Sequence, residues 1–321
     1  MWRNLLTWLL ALAWILAACG PASAPPGPAD GSLRAPGQKL RVVATTNIIA
    51  DMAGQVGGDA IQLTSLLPLG VDPHTYIATP RDVAAVAEAD LILANGANLE
   101  ADFLPQLIQA SQARLVYVSE GIPPRELGPD ETRAEGGEQP SQDAHSGIDP
   151  HTWTTPANAS VFVGNIERAL SELDPANADT YRANARAYQA ELKALDEWVQ
   201  AQINTIPLEN RKLVTDHATF GYYADRYGLE TVGTVVPGFS TASEPSAQEL
   251  ARLQDAIRGL GVRAIFVGST VNPSLARQVA ADTGIKLVPL YTGSLGPPGS
   301  GAETYLDYVR ANTHAIVQGL R

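Results

Sequence analysis

From residue 39 onward, apolar runs of four to seven residues alternate with amphipathic stretches, and this rhythm is what most restricts the fold. "KLRVVATT" reads as a strand, "IIADMAGQVG" as a helix, "IQLTSLL" as a strand and "TPRDVAAVAEA" as a helix with Thr79 as N-cap and Pro80 in its first turn. "DLILANG", "LEADFLPQLIQAS" and "RLVYVSEG" continue as strand, helix and strand. Such strands between helices predict an α/β fold with a mostly parallel sheet covered on both faces.

The rhythm stops at residues 123–147, which are polar, acidic and rich in Gly and Pro, and so read as a long surface loop. A helix over about 156–172 follows. A longer one spans 174–205, with Asp174 as N-cap and Pro175 in the first turn. Tyr188, Leu192, Leu195, Val199 and Ile203 step by three and four along it, giving one buried stripe. At 1.5 Å per residue it is roughly 45 Å long, more than one lobe needs. It reads as a brace between an N-terminal lobe, 39–173, and a C-terminal lobe, 206–321. The second lobe resumes the alternation: "RKLVTD", "LETVGTVV", "RAIFVGS" and "IKLVPLY" are strands, with helices after each. Two α/β lobes joined by a long helix leave a cleft, and ligands of open α/β sheets bind beyond the carboxyl ends of the strands.

The N-terminus is a different kind of segment. "LLTWLLALAWILAA" is continuously apolar, too short for a comfortable span, and fits a secretory signal over residues 1–18. It ends at "LAAC", which resembles a bacterial lipobox with Cys19 as the lipid attachment site. Cys19 is the only cysteine, so no intramolecular disulfide or cysteine-based metal site is available. The tether over 20–38, "GPASAPPGPADGSLRAPGQ", is expected to be extended, and with Cys19 it forms the 19–38 linker to the body. A net charge of −12 and the lack of any basic run argue against a nucleic-acid partner.

Two of the five histidines share one phrase: "VDPHTY" carries His74 and "IDPHTW" carries His151. Pro fixes its own φ and biases the residue before it toward extended backbone, and Asp72 and Asp149 can bond nearby amides. Each phrase is a stiff loop that holds one imidazole still. His217 follows the strand 211–216 directly, in "VTDHATFGYY". His74, His151 and His217 come from separate segments of both lobes, and three imidazoles in a cleft suit a transition metal. Solvated loop histidines are the alternative reading of each alone. His314 lies off the stripe of the last helix and reads as solvated, and His145 lies in the acidic loop.

From about residue 40 to 320 the chain resembles the cluster 9 (A-1) substrate-binding lipoproteins of bacterial zinc and manganese ABC importers. The matching phrases are "LLPLGVDPHTYIATPRDVAAVAEADLILANGANLE", "GIDPHTWTTPANA", "TDHATFGYYADRYGL", "SEPSAQELARL" and "AETYLDYVRANT". The resemblance implies that His74, His151 and His217 are metal ligands. It also implies an ABC permease partner, a likeness to adhesin lipoproteins in part of the family, and a place in the cell envelope on a lipid anchor. The family pattern after the last strand is Thr-Asp-Ser-Leu, whose Asp is the fourth ligand. Here "YTGSL" puts Gly293 there, and Glu244 and Glu303 are candidates to replace it. Relatives that carry manganese commonly have Glu where this chain has His217, so the balance favours Zn²⁺ over Mn²⁺. The expected function is capture of zinc by a monomer for delivery to the permease. The competing class is a zinc hydrolase or hydratase with three histidines and an open coordination position. No Glu or His beside the ligand phrases stands out as a general base, and a tethered two-lobed body suits capture better.

Overall fold

The computed structural model describes residues 38–109, 111–126 and 147–321. The expected signal, Cys19 and the tether up to residue 37 lie outside the described residues, as do residues 127–146 of the acidic loop, His145 among them. Among the described residues, eight strands form two four-stranded sheets, all parallel, with the same order of strands.

The first sheet has β1 (Leu40–Ala44), β2 (Ile61–Ser65), β3 (Leu91–Ala94) and β4 (Arg114–Tyr117) in the order β2-β1-β3-β4. Central β3 is buried at every residue, whereas edge strand β2 alternates exposed and covered positions, the pattern of a strand with one face packed and the other open to solvent. Helices α1 (Asn47–Gly57), α2 (Pro80–Glu88) and α3 (Leu104–Ile108) intervene. Thr79 caps α2 as the sequence predicts. The Asp82 carboxylate accepts the Thr79 N–H at 2.7 Å and the Tyr76 hydroxyl at 2.6 Å, which ties the end of the first Asp-Pro-His phrase to the helix.

Helix α3 is shorter than the amphipathic pattern over 99–111 predicts. The Glu100 carboxylate turns back to accept the N–H groups of Asn95 and Gly96 and the Thr45 hydroxyl, and Ala97 and Asn98 take positive φ. These bonds hold the backbone before Phe103 in a non-helical path, and the helix starts only at Leu104, just ahead of Pro105.

Helix α4 (Pro156–Leu173) is capped by Thr155, which accepts the Asn158 N–H. Helix α5 (Ala178–Ile203) begins three residues later than the sequence suggests. Asp174 does not cap it. Its carboxylate accepts from Asn177 and from the Tyr181 hydroxyl, and Pro175–Asn177 form a 3-10 turn. The predicted stripe Tyr188, Leu192, Leu195, Val199 and Ile203 is buried throughout.

The second sheet has β5 (Lys212–Thr215), β6 (Glu230–Thr234), β7 (Ala264–Gly268) and β8 (Lys286–Leu290) in the order β6-β5-β7-β8. Its helices are α6 (Gly221–Tyr227), α7 (Ala247–Leu260), α8 (Ser274–Thr283) and the closing α9 (Tyr305–Leu320). α5 packs against α1 and α4 of the first lobe and against α6 and α9 of the second. One buried core runs from Leu40 and Ile48 through the α5 stripe to Leu213, Tyr305 and Leu320. Each sheet covers its other face separately: α2 and α3 over the first, α7 and α8 over the second. In both sheets the order reverses beside the first strand, so the crevices of the two lobes open at the carboxyl ends of their strands. No helix among the described residues is long and apolar enough to cross a membrane.

Candidate metal centre

The loop after β2 carries His74, the segment before α4 carries His151, and the turn just past β5 carries His217. Each is fixed by an aspartate just before it in sequence. The Asp72 Oδ1 accepts the His74 backbone N–H at 3.0 Å. The Asp149 Oδ1 accepts both the His151 backbone N–H and its ring Nδ1–H, each at 2.9 Å. The Asp216 Oδ1 accepts the His217 backbone N–H at 2.8 Å and faces its Nδ1 at 3.0 Å, while Oδ2 takes the Gly268 N–H at 2.7 Å. A ring that donates its Nδ1–H to a carboxylate keeps its Nε2 lone pair for a metal, so Asp149 and Asp216 set the tautomer of their histidines.

The three rings converge. His74 Nε2 lies 3.0 Å from His151 Nε2, and His217 Nε2 lies 3.2 Å from the same atom. One ligand atom from each of the three lies within 4.8 Å of the others, and this is the one such group among the described residues. A tetrahedral zinc ion with bonds of 2.0–2.1 Å sets its ligand atoms roughly 3.3 Å apart, so the spacing matches such an ion.

His151 and His217 are almost wholly buried and His74 partly so. Trp153 and Phe239 flank the His151 ring, with centroids 5.3 and 6.4 Å away. Burial, aided by the charge of His217, pushes the His151 imidazole well below its ordinary range, which keeps it in the neutral form that ligates. Burial pushes the Asp149 carboxyl up to about 7, partly offset by the His151 N–H and the Arg125 charge. Burial acts the same way on Asp216, but the His217 ring and three hydrogen bonds outweigh it and hold its carboxyl below the usual range.

Neither glutamate considered as a fourth ligand joins the cluster. Glu244 is exposed, and the Glu303 carboxylate accepts the Gly299 N–H at 2.5 Å inside its own loop. Gly293 is buried at the lobe interface, and a Cβ there would lie 2.5 Å from Cδ of Pro73. The space that a side chain at 293 would need is taken by the proline of the first Asp-Pro-His phrase. His314 is exposed and packs edge-on against Trp198. Sequence reasoning missed Asp216, although "TDH" repeats an aspartate just ahead of a histidine. It also missed Thr219, whose hydroxyl lies 2.7 Å from His217 Nε2.

These features define a two-lobed binding protein with three imidazoles at the lobe interface. A family model described as zinc-uptake complex component A, periplasmic, matches residues 42–319, and the chain belongs to that family. It is a metal-binding substrate-binding component of an ABC importer, a class that does not consist of enzymes. The chain is 32% identical over 314 residues to the manganese-binding lipoprotein MntA of Halalkalibacterium halodurans, covering 97% of this chain and 96% of that one. It is 33% identical to the iron-binding protein YfeA of Yersinia pestis, over 88% of this chain and 86% of YfeA. Among solved structures it resembles the periplasmic zinc-binding protein TroA of Treponema pallidum, with a TM-score of 0.77 and 30% identity over 88% of this chain and 99% of TroA.

Proposed function

We propose that this protein captures zinc through His74, His151 and His217 and delivers it to a membrane permease, acting as a monomer held in the cell envelope by a lipid on Cys19. The observation that carries the reading is the convergence of three Nε2 atoms, two of them on rings whose Nδ1 faces a buried aspartate. All three donors are nitrogen, which suits zinc better than manganese, the harder ion. The positive charge of the ion is met one bond away, by Asp149 and Asp216 behind their imidazoles, in place of a directly bound carboxylate. The fourth coordination position is left for water or a small anion.

Capture follows from this geometry. His74 and His151 belong to one lobe and His217 to the other, so an ion bound to all three joins the lobes, and release requires one set of bonds to break. A manganese reading is the second one, supported by relatives named for manganese. Metal analysis of protein purified without added metal, followed by competition between Zn²⁺ and Mn²⁺, separates the two. Zinc as the resident ion and the winner of the competition is the expected result, and preference for Mn²⁺ refutes it.

A further inference from the structure

Both Asp-Pro-His phrases put one carboxylate oxygen to local use: Oδ1 of Asp72 and Oδ1 of Asp149 each accept the backbone N–H of the histidine two residues on. Their second oxygens do something else. Asp72 Oδ2 accepts the Thr241 hydroxyl at 2.6 Å, from the loop between β6 and α7 in the other lobe. Asp149 Oδ2 faces the Arg125 guanidinium at 3.5 Å. Arg125 belongs to the first lobe, with its carbonyl accepting the Asp149 N–H, but its side chain reaches α6 in the second lobe. There its Nε donates to Asp225 at 2.8 Å, and its backbone N–H donates to the Tyr222 hydroxyl at 3.1 Å. Position 221 must be glycine for this to happen, because a Cβ there would run into the guanidinium.

We infer that the second oxygen of each phrase serves a latch that ties metal capture to closure of the lobes, with Thr241 and Arg125 as the positioning residues: Asp72 accepts the Thr241 hydroxyl, and the charge of Asp149 steadies the Arg125 guanidinium that reaches Asp225. The phrase recurs because each copy does two jobs on two oxygens. One aims a ligand, and the other grips the opposite lobe, directly through Thr241 or through Arg125 to Asp225. A metal ion that draws His74 and His151 toward His217 also draws Asp72 into range of Thr241, and Arg125, already seated beside Asp149, into range of Asp225 and Tyr222, and these latches then hold the ion in. The inference rests on the reading that the three histidines bind the metal.

The test is stopped-flow release of Zn²⁺ from the full chain to excess chelator, together with the rate of Zn²⁺ uptake. Thr241 sits in a partly exposed loop, so Thr241→Val replaces its hydroxyl with a methyl at little cost to folding. Release from Thr241→Val is expected to be about tenfold faster, the order of a lost hydrogen bond to a charged acceptor. Thr241→Ser, which keeps the hydroxyl, is expected to stay within about twofold of wild type. Arg125→Met is expected to speed release about tenfold and Arg125→Lys by less, since Lys keeps the charge beside Asp149 but not the fork to Asp225. Uptake rates are expected to be unchanged, because the latches form after capture. Wild-type release rates in both Thr241→Val and Arg125→Met overturn the inference, as does a serine variant as fast as valine. Wild-type protein that takes up no zinc overturns the metal reading itself, a distinct result.

Discussion

A single methyl at position 293 will weaken zinc binding. Cβ of an alanine there would lie 2.5 Å from Pro73 Cδ and 3.1 Å from Cγ, against an ordinary contact of about 3.5–4.0 Å, so something must move by about 1 Å. One side of the contact is pinned. The Thr292 carbonyl accepts from Trp153 Nε1 and the Tyr308 hydroxyl, Leu295 N–H donates to Asn47, and Gly70 N–H donates to the Ser294 hydroxyl. The phrase around Pro73 is the softer partner, and His74 is the next residue along it. Overpacking of this size costs about 1–3 kcal/mol. If it is expressed in the position of His74, affinity falls by roughly 5- to 150-fold. Gly293→Asp carries the same Cβ, so restoring the family residue will not tighten the site, contrary to what the family pattern alone suggests. The assay is competitive titration against a fluorescent zinc chelator, with thermal unfolding of the metal-free protein as the control for folding. Gly293→Ala will recover affinity when combined with Pro73→Ala, measured against Pro73→Ala alone. Wild-type affinity in Gly293→Ala, or tighter binding in Gly293→Asp, refutes the argument.

Alanine at His74, His151 or His217 will each weaken zinc binding by more than about a hundredfold in the same titration, since even outer-sphere partners of metal ligands are worth about 10- to 100-fold. Burial tends to raise the Asp196 carboxyl, but hydrogen bonds from Arg226 and Tyr227 outweigh it and hold it below its usual range. A depressed carboxylate stabilises the fold above its unfolded value and loses that contribution as pH falls through the folded one. Asp196→Asn will therefore lower the melting temperature at pH 7, and the difference from wild type will shrink below about pH 4. Cys19→Ala will move the protein from the membrane fraction to the soluble one, read by fractionation and immunoblot; retention in the membrane fraction refutes the lipid anchor.

Much of this architecture is legible in the sequence because it is set locally. The alternation of apolar runs and amphipathic stretches marks all eight strands, and the stripe from Tyr188 to Ile203 marks the face that α5 buries. The histidine phrases were legible for the same reason, since Asp-Pro ahead of His prescribes a loop shape from three adjacent residues. Where side chains bond back to the main chain, local patterns mislead. Glu100 pulls the backbone after β3 out of the predicted helix, and Asp174 turns toward Tyr181 instead of capping α5. Glu244 and Glu303 are the carboxylates that the sequence offers to the site, whereas those that stand beside the candidate ligands are Asp149 and Asp216. The contacts between lobes were not legible at all: Asp72 and Thr241 are 169 residues apart, and Arg125 and Asp225 are 100 apart. No spacing rule predicts pairs that only the tertiary fold creates.

The core that runs unbroken from Leu40 through the α5 stripe to Leu320 also decides how the protein comes apart. Residues of α5 complete the apolar interior of both lobes, so neither lobe can lose its structure without exposing the interior of the other. Heating or denaturant will therefore melt the body in one cooperative transition, with equal calorimetric and van't Hoff enthalpies, although it looks like two units. Either lobe expressed alone would present the unpaired half of that interface to solvent and aggregate. The same coupling limits how the lobes can part to let an ion go. They can flex about the buried helix, but they cannot swing wide without melting it.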